Sequence, residues 1–259
     1  MSDIASDAVT ELDRLCAAVP FHDADPVQRA RVLRRLADTE LHAALASEAA
    51  GDRADLRMFD LPGGGAAALA SDDAAALAGF LGGPVAHVSL PGRVLARELA
   101  EAGQGLLVNP GRPSEMLLDA DALGWLIAAL AGRPETAEAA PRRLTAPRAE
   151  ALAVLAEPLA ERLGDMTGMV AGAALAGAEW PDGRQGHLLV LAGAGEGDRP
   201  ALAKAMAELL AFLPPVEGGV DVTFEDIPLP AGAVRFAAEA LPVEPAPAPQ
   251  VDKPPRLRW

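Results

Sequence analysis

The chain has 259 residues, a formal net charge of -15, one cysteine and an aromatic content of only 3%. This length suits two domains, and an acidic chain repels nucleic-acid backbones and anionic membrane surfaces, so we expect no nucleic acid and no membrane as partner. One cysteine excludes an internal disulfide or a multi-cysteine metal site, and without a secretion signal or a membrane-spanning run the sequence predicts a cytoplasmic protein.

Helical spacing marks the beginning of the chain. The apolar residues between 9 and 19 share one helical face and predict a helix in which Cys16 is buried. Asp25 followed by Pro26 is typical of a helix start, with the aspartate as N-cap and the proline at the first helical position. The local pattern of residues 39–46 fits a helix and a buried strand equally well.

Turn residues divide the segment from 56 to 131. A glycine triplet at 63–65 between two apolar runs predicts a β-hairpin, and Ser71 is expected to cap a helix over 72–80. The remaining elements are a strand over 84–90, a helix over 94–102, a strand over 106–108 and a helix opened by Asp119 or Asp121. We expect Phe80 and Trp125, which recur with leucines at helical spacing, to lie in the core.

Residues 132–147 contain three prolines and no apolar period, which is typical of an interdomain linker. The second half is predicted to contain a helix over 149–163 that Pro158 kinks or splits, strands over 169–175 and 187–191, a helix from Pro200 and a strand over 220–227. The predicted domains are 1–131 and 148–240, with a proline-rich tail at 241–259. Together these elements predict an α+β fold of two mixed or antiparallel α/β sandwich-like domains joined by a Pro-rich linker.

No motif in the sequence indicates a reaction. Gly193, Gly195 and Gly197 follow an apolar strand and precede a helix, but their spacing departs from the dinucleotide-binding fingerprint and favours a plain turn. The four histidines stand singly, without the spacing of a zinc site, and no serine lies in a nucleophile elbow. We therefore predict no catalytic, cofactor-binding or metal-binding residues and no cofactor.

The last four residues, 256–259, place two arginines and Trp259 at the end of an otherwise acidic chain. One hypothesis is that this tail docks into an acidic groove of its own second domain or of a partner, with Trp259 as the anchor. The alternative is a disordered end.

Several stretches of the first half resemble the SseB family, which is named for enhanced serine sensitivity, and in particular its members in photosynthetic alphaproteobacteria. The stretches are LDRLCAAV near the start, ARVLRRLADTELHAALASEA at 30–49, LPGRVLARELAEAGQGLLVNPG at 90–111 and LLDADALGWL at 117–126. The likeness covers most of residues 11–130, and residues 148–230 are similar to the family's C-terminal domain.

The resemblance implies an α+β N-terminal module with no catalytic residue or cofactor to carry over. It also implies a strand over residues 40–45, with Leu41, Ala43 and Leu45 on one face. His42 stands where the family usually has an aromatic or aliphatic residue, so we expect this strand to be less buried than in relatives.

Arg93 and Asn109 each stand beside a proline-glycine pair near a strand end, where loops carry binding groups on a rigid scaffold. We predict a candidate interaction surface formed by Arg93, Asn109, Gly111 and Trp259. The favoured function is a non-enzymatic protein that binds another macromolecule, with a protein as partner and a link to serine sensitivity suggested by the family. Two alternatives stay open: a small-metabolite-binding regulator or enzyme of amino-acid metabolism that uses an interdomain cleft, and a secretion-associated chaperone.

Overall fold

The computed structural model describes residues 9–48, 54–62, 64–134 and 139–237. The chain divides into two compact units, unit 1 (Met1–Ala139 and Pro200–Gly219) and unit 2 (Ala140–Arg199 and Val220–Trp259). Each unit contains helices and a β-sheet, which confirms the predicted α+β class. Residues 200–219 group with unit 1, whereas the helix at Pro200 is predicted to belong to the second domain.

Helices and strands are interspersed along the described chain. The helices are α1 (Glu11–Cys16), α2 (Pro26–Asp38), α3 (Ala74–Phe80), α4 (Gly92–Glu101), α5 (Ala120–Leu130), α6 (Ala149–Asp165) and α7 (Arg199–Ala211). The strands are β1 (Glu40–Ala44), β2 (Met58–Asp60), β3 (Ala66–Ser71), β4 (His87–Pro91), β5 (Gly105–Val108), β6 (Met116–Leu118), β7 (Arg143–Thr145), β8 (Gly172–Glu179), β9 (Gln185–Ala192), β10 (Val220–Thr223) and β11 (Val234–Ala237). None of the described helices has the length and apolar character needed to cross a bilayer.

Unit 1 is built on a six-stranded mixed sheet with the order β4-β1-β3-β5-β6, in which β2 also pairs with β3. β3 and β5 are parallel, and the other neighbours are antiparallel. β1 confirms the strand implied over residues 40–45, because Leu41 and Ala43 are buried on one face. Cys16 is buried in the same core, as predicted.

The two faces of this sheet are covered unequally. The covered face carries Leu41, Ala43, Ala70, Leu106 and Val108, which form one core with α1, α2, α4 and α5. The open face carries the residues that alternate with these: His42, Leu69, His87, Ser89, Leu107 and Leu117. α3, only seven residues long, packs on the open face by inserting Leu77 against Ala44 and Leu69.

Side-chain caps begin four of the helices in unit 1. Thr10, Asp25 and Asp119 cap α1, α2 and α5, so the predicted start at Asp25-Pro26 is confirmed. The predicted cap at Ser71 is wrong, because Asp73 caps α3 and Ser71 is the last residue of β3. Within the sheet, the Ser71 hydroxyl donates to the side chain of Asn109.

A glycine allows α4 to begin directly against the end of α2. The Gly92 amide donates to the Thr39 carbonyl at 2.8 Å, and a Cβ at Gly92 would lie 2.0 Å from the Leu36 carbonyl oxygen. Any side chain at position 92 would therefore push the two helices apart. This contact explains why α4 begins with a glycine.

Helix α7 joins unit 1 through aromatic and polar contacts. Phe212 is buried in the unit 1 core, and its ring packs edge-on against Trp125 with centroids 5.5 Å apart. Lys204 donates from Nζ to the Leu130 carbonyl at 3.0 Å. Trp125 is nevertheless 47% exposed and Phe80 53% exposed, so the expectation that both lie in the core is wrong. Each side chain lies on a part of its helix that neighbouring elements cover only in part.

Unit 2 contains a five-stranded sheet with the order β10-β9-β8-β11, in which β7 also pairs with β8. The predicted antiparallel pair is confirmed as the β8-β9 hairpin, and β10 runs parallel to β9. β7 lies inside the segment predicted to be a linker, and β11 has no counterpart among the predicted elements. Pro158 is predicted to kink or split the helix; α6 runs unbroken through it, so the split is wrong and the kink stays a prediction. The glycine-rich segment 193–197 forms the predicted turn between β9 and α7.

Candidate functional site

The carboxyl ends of three strands meet at one edge of the unit 1 sheet. β3 and β5 are parallel, and β4 runs in the same direction because β3 and β4 are both antiparallel to β1. This edge is where open α/β sheets commonly bind ligands. It carries both Arg93, just after β4, and Asn109, just after β5. Three inter-strand steps of about 4.8 Å separate β4 from β5, so the two residues lie roughly 14 Å apart along the edge.

Asn109 is the centre of a buried polar network at this edge. Its φ of 50° is in the left-handed region, and its side chain is fully buried. Oδ1 accepts from the Ser71 hydroxyl at 2.8 Å and from the Asp72 amide at 3.0 Å. Nδ2 donates to Ser114 Oγ at 2.8 Å. The asparagine thus links the end of β3 to the loop after β5, and its amide orientation is fixed by these three partners.

The network continues from Ser114 to α1. Ser114 donates from Oγ to Asp13 Oδ1 at 2.6 Å, and its amide lies 3.3 Å from the same oxygen. Arg112 donates from Nε to the other Asp13 oxygen at 3.0 Å, and its terminal nitrogen also binds that oxygen. Asp13 is therefore held on both carboxylate oxygens by groups from one short loop.

The charges of the network are three carboxylates around one guanidinium. Burial acts to raise the pKa of Asp13, but the hydrogen bonds from Arg112 and Ser114 outweigh it and lower that pKa. For Asp72 burial prevails: with repulsion from Asp13 it raises the pKa despite hydrogen bonds from Thr10 and Asn109. Arg112 also lies 3.6 Å from Asp73, and the hydrogen bond to Asp13 raises the Arg112 pKa. The edge therefore holds a firmly ionised Asp13 beside an Asp72 that resists ionisation.

Gly111 shapes the loop that carries Arg112 and Ser114. Its φ of 75° is in the left-handed region, and its amide donates to Glu115 Oε2 at 2.5 Å. The Arg112 amide also donates to the Asn109 carbonyl at 3.1 Å. Gly111 therefore acts on the turn rather than presenting a binding group.

Arg93 belongs to a separate ionic cluster on the same edge. Its guanidinium binds the carboxylate of Asp38 at the end of α2 and lies 3.3 Å from Glu208 Oε1 on α7. Lys204 also binds Glu208, at 2.8 Å. Burial acts to lower the pKa of Arg93, but the bonds to Asp38 and Glu208 raise it overall. Arg93 thus links α2, α4 and α7 and is occupied by protein carboxylates.

Of the four residues predicted to form one interaction surface, Arg93, Asn109 and Gly111 lie at one edge of the sheet but in two clusters. Trp259 lies outside the described residues. No sequence pattern indicated Asp13, Arg112 and Ser114, which complete the Asn109 network. Their signal is faint: Arg112 and Ser114 follow the Asn109 turn in the sequence, but Asp13 is brought in by tertiary structure alone.

The open face of the sheet is buried at its centre, where Leu77 of α3 covers Ala44 and Leu69, and partly accessible toward its ends. Leu117 on the end strand β6 is 37% exposed and stands opposite the half-buried Leu107. Near the other end, the His42 ring lies beside His87, with centroids 5.1 Å apart. Within the described ranges, no group of three or more histidine, cysteine, aspartate or glutamate side chains is arranged to hold a metal ion.

Residues 15–125 match the family model described as the SseB protein N-terminal domain. The chain carries an SseB N-terminal domain. The matched range begins within α1 and ends within α5, so it contains all six strands of the unit 1 sheet and the Asn109 network apart from Asp13. A search of the curated proteins and a search of the solved structures gave no match.

Two expectations from the resemblance go beyond what the family model matches. The similarity of residues 148–230 to the family's C-terminal domain and the relation to alphaproteobacterial members stay predictions. Within the SseB N-terminal domain, the polar edge is closed, because Asn109, Ser71 and Ser114 are buried and bonded to one another. Its chemistry is therefore that of a structural link between α1, β3 and the loop after β5.

Proposed function

We propose that this protein is non-enzymatic and acts in the cytoplasm by binding a protein partner through the open face of its SseB N-terminal domain. The observation that carries the proposal is the unequal coverage of the sheet. Four helices pack on the covered face, while the seven-residue α3 packs on the open one. A sheet face buries apolar surface by packing against another element, and a partner protein can supply that element.

Exposed apolar side chains support this assignment. Phe80 at the end of α3 is 53% exposed, and Leu117 on β6 presents a second apolar side chain on the open face. Large exposed apolar groups framed by polar ones are typical of protein interaction sites. The net charge of -15 favours a neutral or basic partner surface. We further propose that this interaction underlies the serine-sensitivity phenotype for which the family is named.

The buried polar edge argues for binding rather than catalysis. A catalytic group must reach a substrate atom within hydrogen-bonding distance. The convergent side chains of the Asn109 network are instead hydrogen-bonded to one another, and Arg93 is bound by Asp38 and Glu208. The ends of the open sheet face, in contrast, carry side chains that reach solvent, among them Leu117 and His87.

Matched surface variants test the proposal in affinity purification from the native host. We expect Phe80→Glu and Leu117→Glu to lose the partner that the wild-type chain retains. Val27→Glu is the control, because Val27 is 49% exposed on α2, which packs on the covered face. Retention of the partner by both open-face variants would contradict the proposed surface.

Ligand screening separates this function from a metabolite-binding one. We expect serine, related amino acids and nucleotides to leave the melting temperature of the full chain unchanged. A ligand that binds the folded state raises the melting temperature by mass action. A concentration-dependent rise with any of these compounds would favour the metabolite-binding alternative.

A further inference from the structure

Two histidines from neighbouring strands meet on the open face. His42 of β1 stands opposite Ser89 of β4, and Ala44 stands opposite His87, so the two histidines are diagonal neighbours on one face. Their ring centroids are 5.1 Å apart and their planes cross at 86°. β4 is an end strand of the sheet, the His87 side chain is exposed, and that of His42 is half-buried. Solvent therefore reaches the pair.

Hydrogen bonds engage the same ring nitrogen in both histidines. Nδ1 of His42 lies 2.8 Å from Ser89 Oγ, and Nδ1 of His87 lies 3.3 Å from the Val85 carbonyl oxygen. A carbonyl only accepts, so His87 carries its proton on Nδ1 and keeps the Nε2 lone pair. The Ser89 hydroxyl can accept from His42 in the same way. Metal-bound imidazoles use this arrangement, with one nitrogen donating to an oxygen and the other binding the ion.

The separation of the rings matches a shared metal ion. With a zinc to nitrogen bond of about 2.1 Å, the centre of an imidazole ring lies about 3.2 Å from the ion. Two rings bound at a tetrahedral angle then have centroids about 5 Å apart. The observed 5.1 Å equals this spacing, and because the terminal torsion of histidine is broad, the exposed His87 ring can adjust to the ion.

We propose that His42 and His87 form an open site for a divalent transition-metal ion such as Zn²⁺ or Ni²⁺. Neutral imidazole is a preferred ligand of these ions, and the acidic chain attracts cations. Two protein ligands leave the other coordination positions to water or to an added ligand. The site is distinct from the buried Asn109 network and does not depend on the proposed protein-binding function.

Calorimetric titration of the untagged full chain with zinc chloride and with nickel chloride tests the site. We expect one ion per chain for the wild type and at least a tenfold loss of affinity in His42→Ala and in His87→Ala. His22→Ala is the matched control, because His22 lies outside the pair and accepts from the Leu117 amide at 3.2 Å. Its affinity for the ion should equal that of the wild type.

A spectroscopic readout keeps the test independent of affinity changes caused by misfolding. Addition of Ni²⁺ should selectively broaden the NMR signals of the His42 and His87 rings, while circular dichroism of the metal-free variants should match the wild type. Absence of binding by the wild type, or equal binding by the wild type and a folded His42→Ala/His87→Ala double variant, would overturn the proposal.

Discussion

Arg112 donates from Nε to Oδ2 of Asp13 at 3.0 Å, although 99 positions separate the two residues in the sequence. Asp13 lies in α1, and Arg112 lies in the loop after β5. The pair therefore links α1, at a position just before the matched residues 15–125, to the carboxyl edge of the sheet. Asp13 is almost fully buried, and the side chain of Arg112 is mostly buried, so solvent screens this pair less than a surface ion pair.

Asp13→Asn should destabilise the folded chain at neutral pH by about 3 kcal/mol, because it removes the carboxylate that is hydrogen-bonded to the mostly buried Arg112 guanidinium. The pKa of Asp13 is lowered in the folded state, so its contribution is complete above the unfolded value and is lost as pH falls through the folded one. Urea unfolding of the wild type should therefore show a loss of stability below about pH 4 that Asp13→Asn lacks. An unchanged acid slope in the variant would contradict this role.

Asp72→Asn tests a carboxyl group on the same edge whose pKa is shifted in the opposite direction to that of Asp13. The pKa of Asp72 is raised in the folded state, so its ionisation costs stability as pH rises from the unfolded value through the folded one. Removing the charge should leave the free energy of unfolding at pH 7 unchanged or slightly increased. Urea unfolding at pH 7 checks this, and a loss as large as that of Asp13→Asn would show that the ionised carboxylate is stabilising.

Asn109→Ala and Asn109→Gly separate hydrogen bonding from backbone conformation. Both variants lose the bonds to Ser71, Asp72 and Ser114, which should cost at least about 2 kcal/mol because buried partners are left unsatisfied. The alanine variant should be less stable than the glycine variant by about 1 kcal/mol, since only glycine tolerates the positive φ without strain. Chemical denaturation of both proteins measures the difference. Equal stability of the two would mean that the backbone is unstrained.

Gly92→Ala should destabilise the chain by several kcal/mol, because its Cβ would overlap the Leu36 carbonyl oxygen and force α2 and α4 apart. Gly124→Ala is the control, because Gly124 lies in α5 with open space around the added Cβ. That substitution should raise the melting temperature, as alanine favours a helix over glycine by about 1 kcal/mol. Thermal unfolding compares the two, and equal melting temperatures would contradict the close contact.

Removal of residues 254–259 tests the tail hypothesis. If the basic end binds an acidic surface, the deletion should lower the melting temperature in low salt and have no effect near 1 M salt, where the screening length falls to about 3 Å. Binding of the partner in pull-down is the second readout. If melting temperature, oligomeric state and binding all stay unchanged, the docking hypothesis is ruled out, and so is the proposed role of Trp259 as the anchor.

Local sequence features were sufficient for elements whose boundaries depend on neighbouring residues. The start of α2 follows from Asp25 and Pro26, and the β8-β9 hairpin follows from the turn between its apolar runs. The position of Asn109 at a strand end was also predictable, because asparagine before proline and glycine favours a turn. The helix cap at Ser71 was not, since serine and aspartate are both good caps and only the sheet register decides between them.

The sequence by itself determined the class of the fold, most of the elements in the matched domain and the resemblance to the SseB family, because caps, turns and apolar periods act over a few residues. Tertiary structure alone decided which polar residues meet. The packing of α1 brings Asp13 to Arg112. The order and register of the strands direct Asn109 into a closed network and place His42 beside His87. These contacts join residues distant in the sequence, and their energies depend on burial and register, which local patterns do not specify.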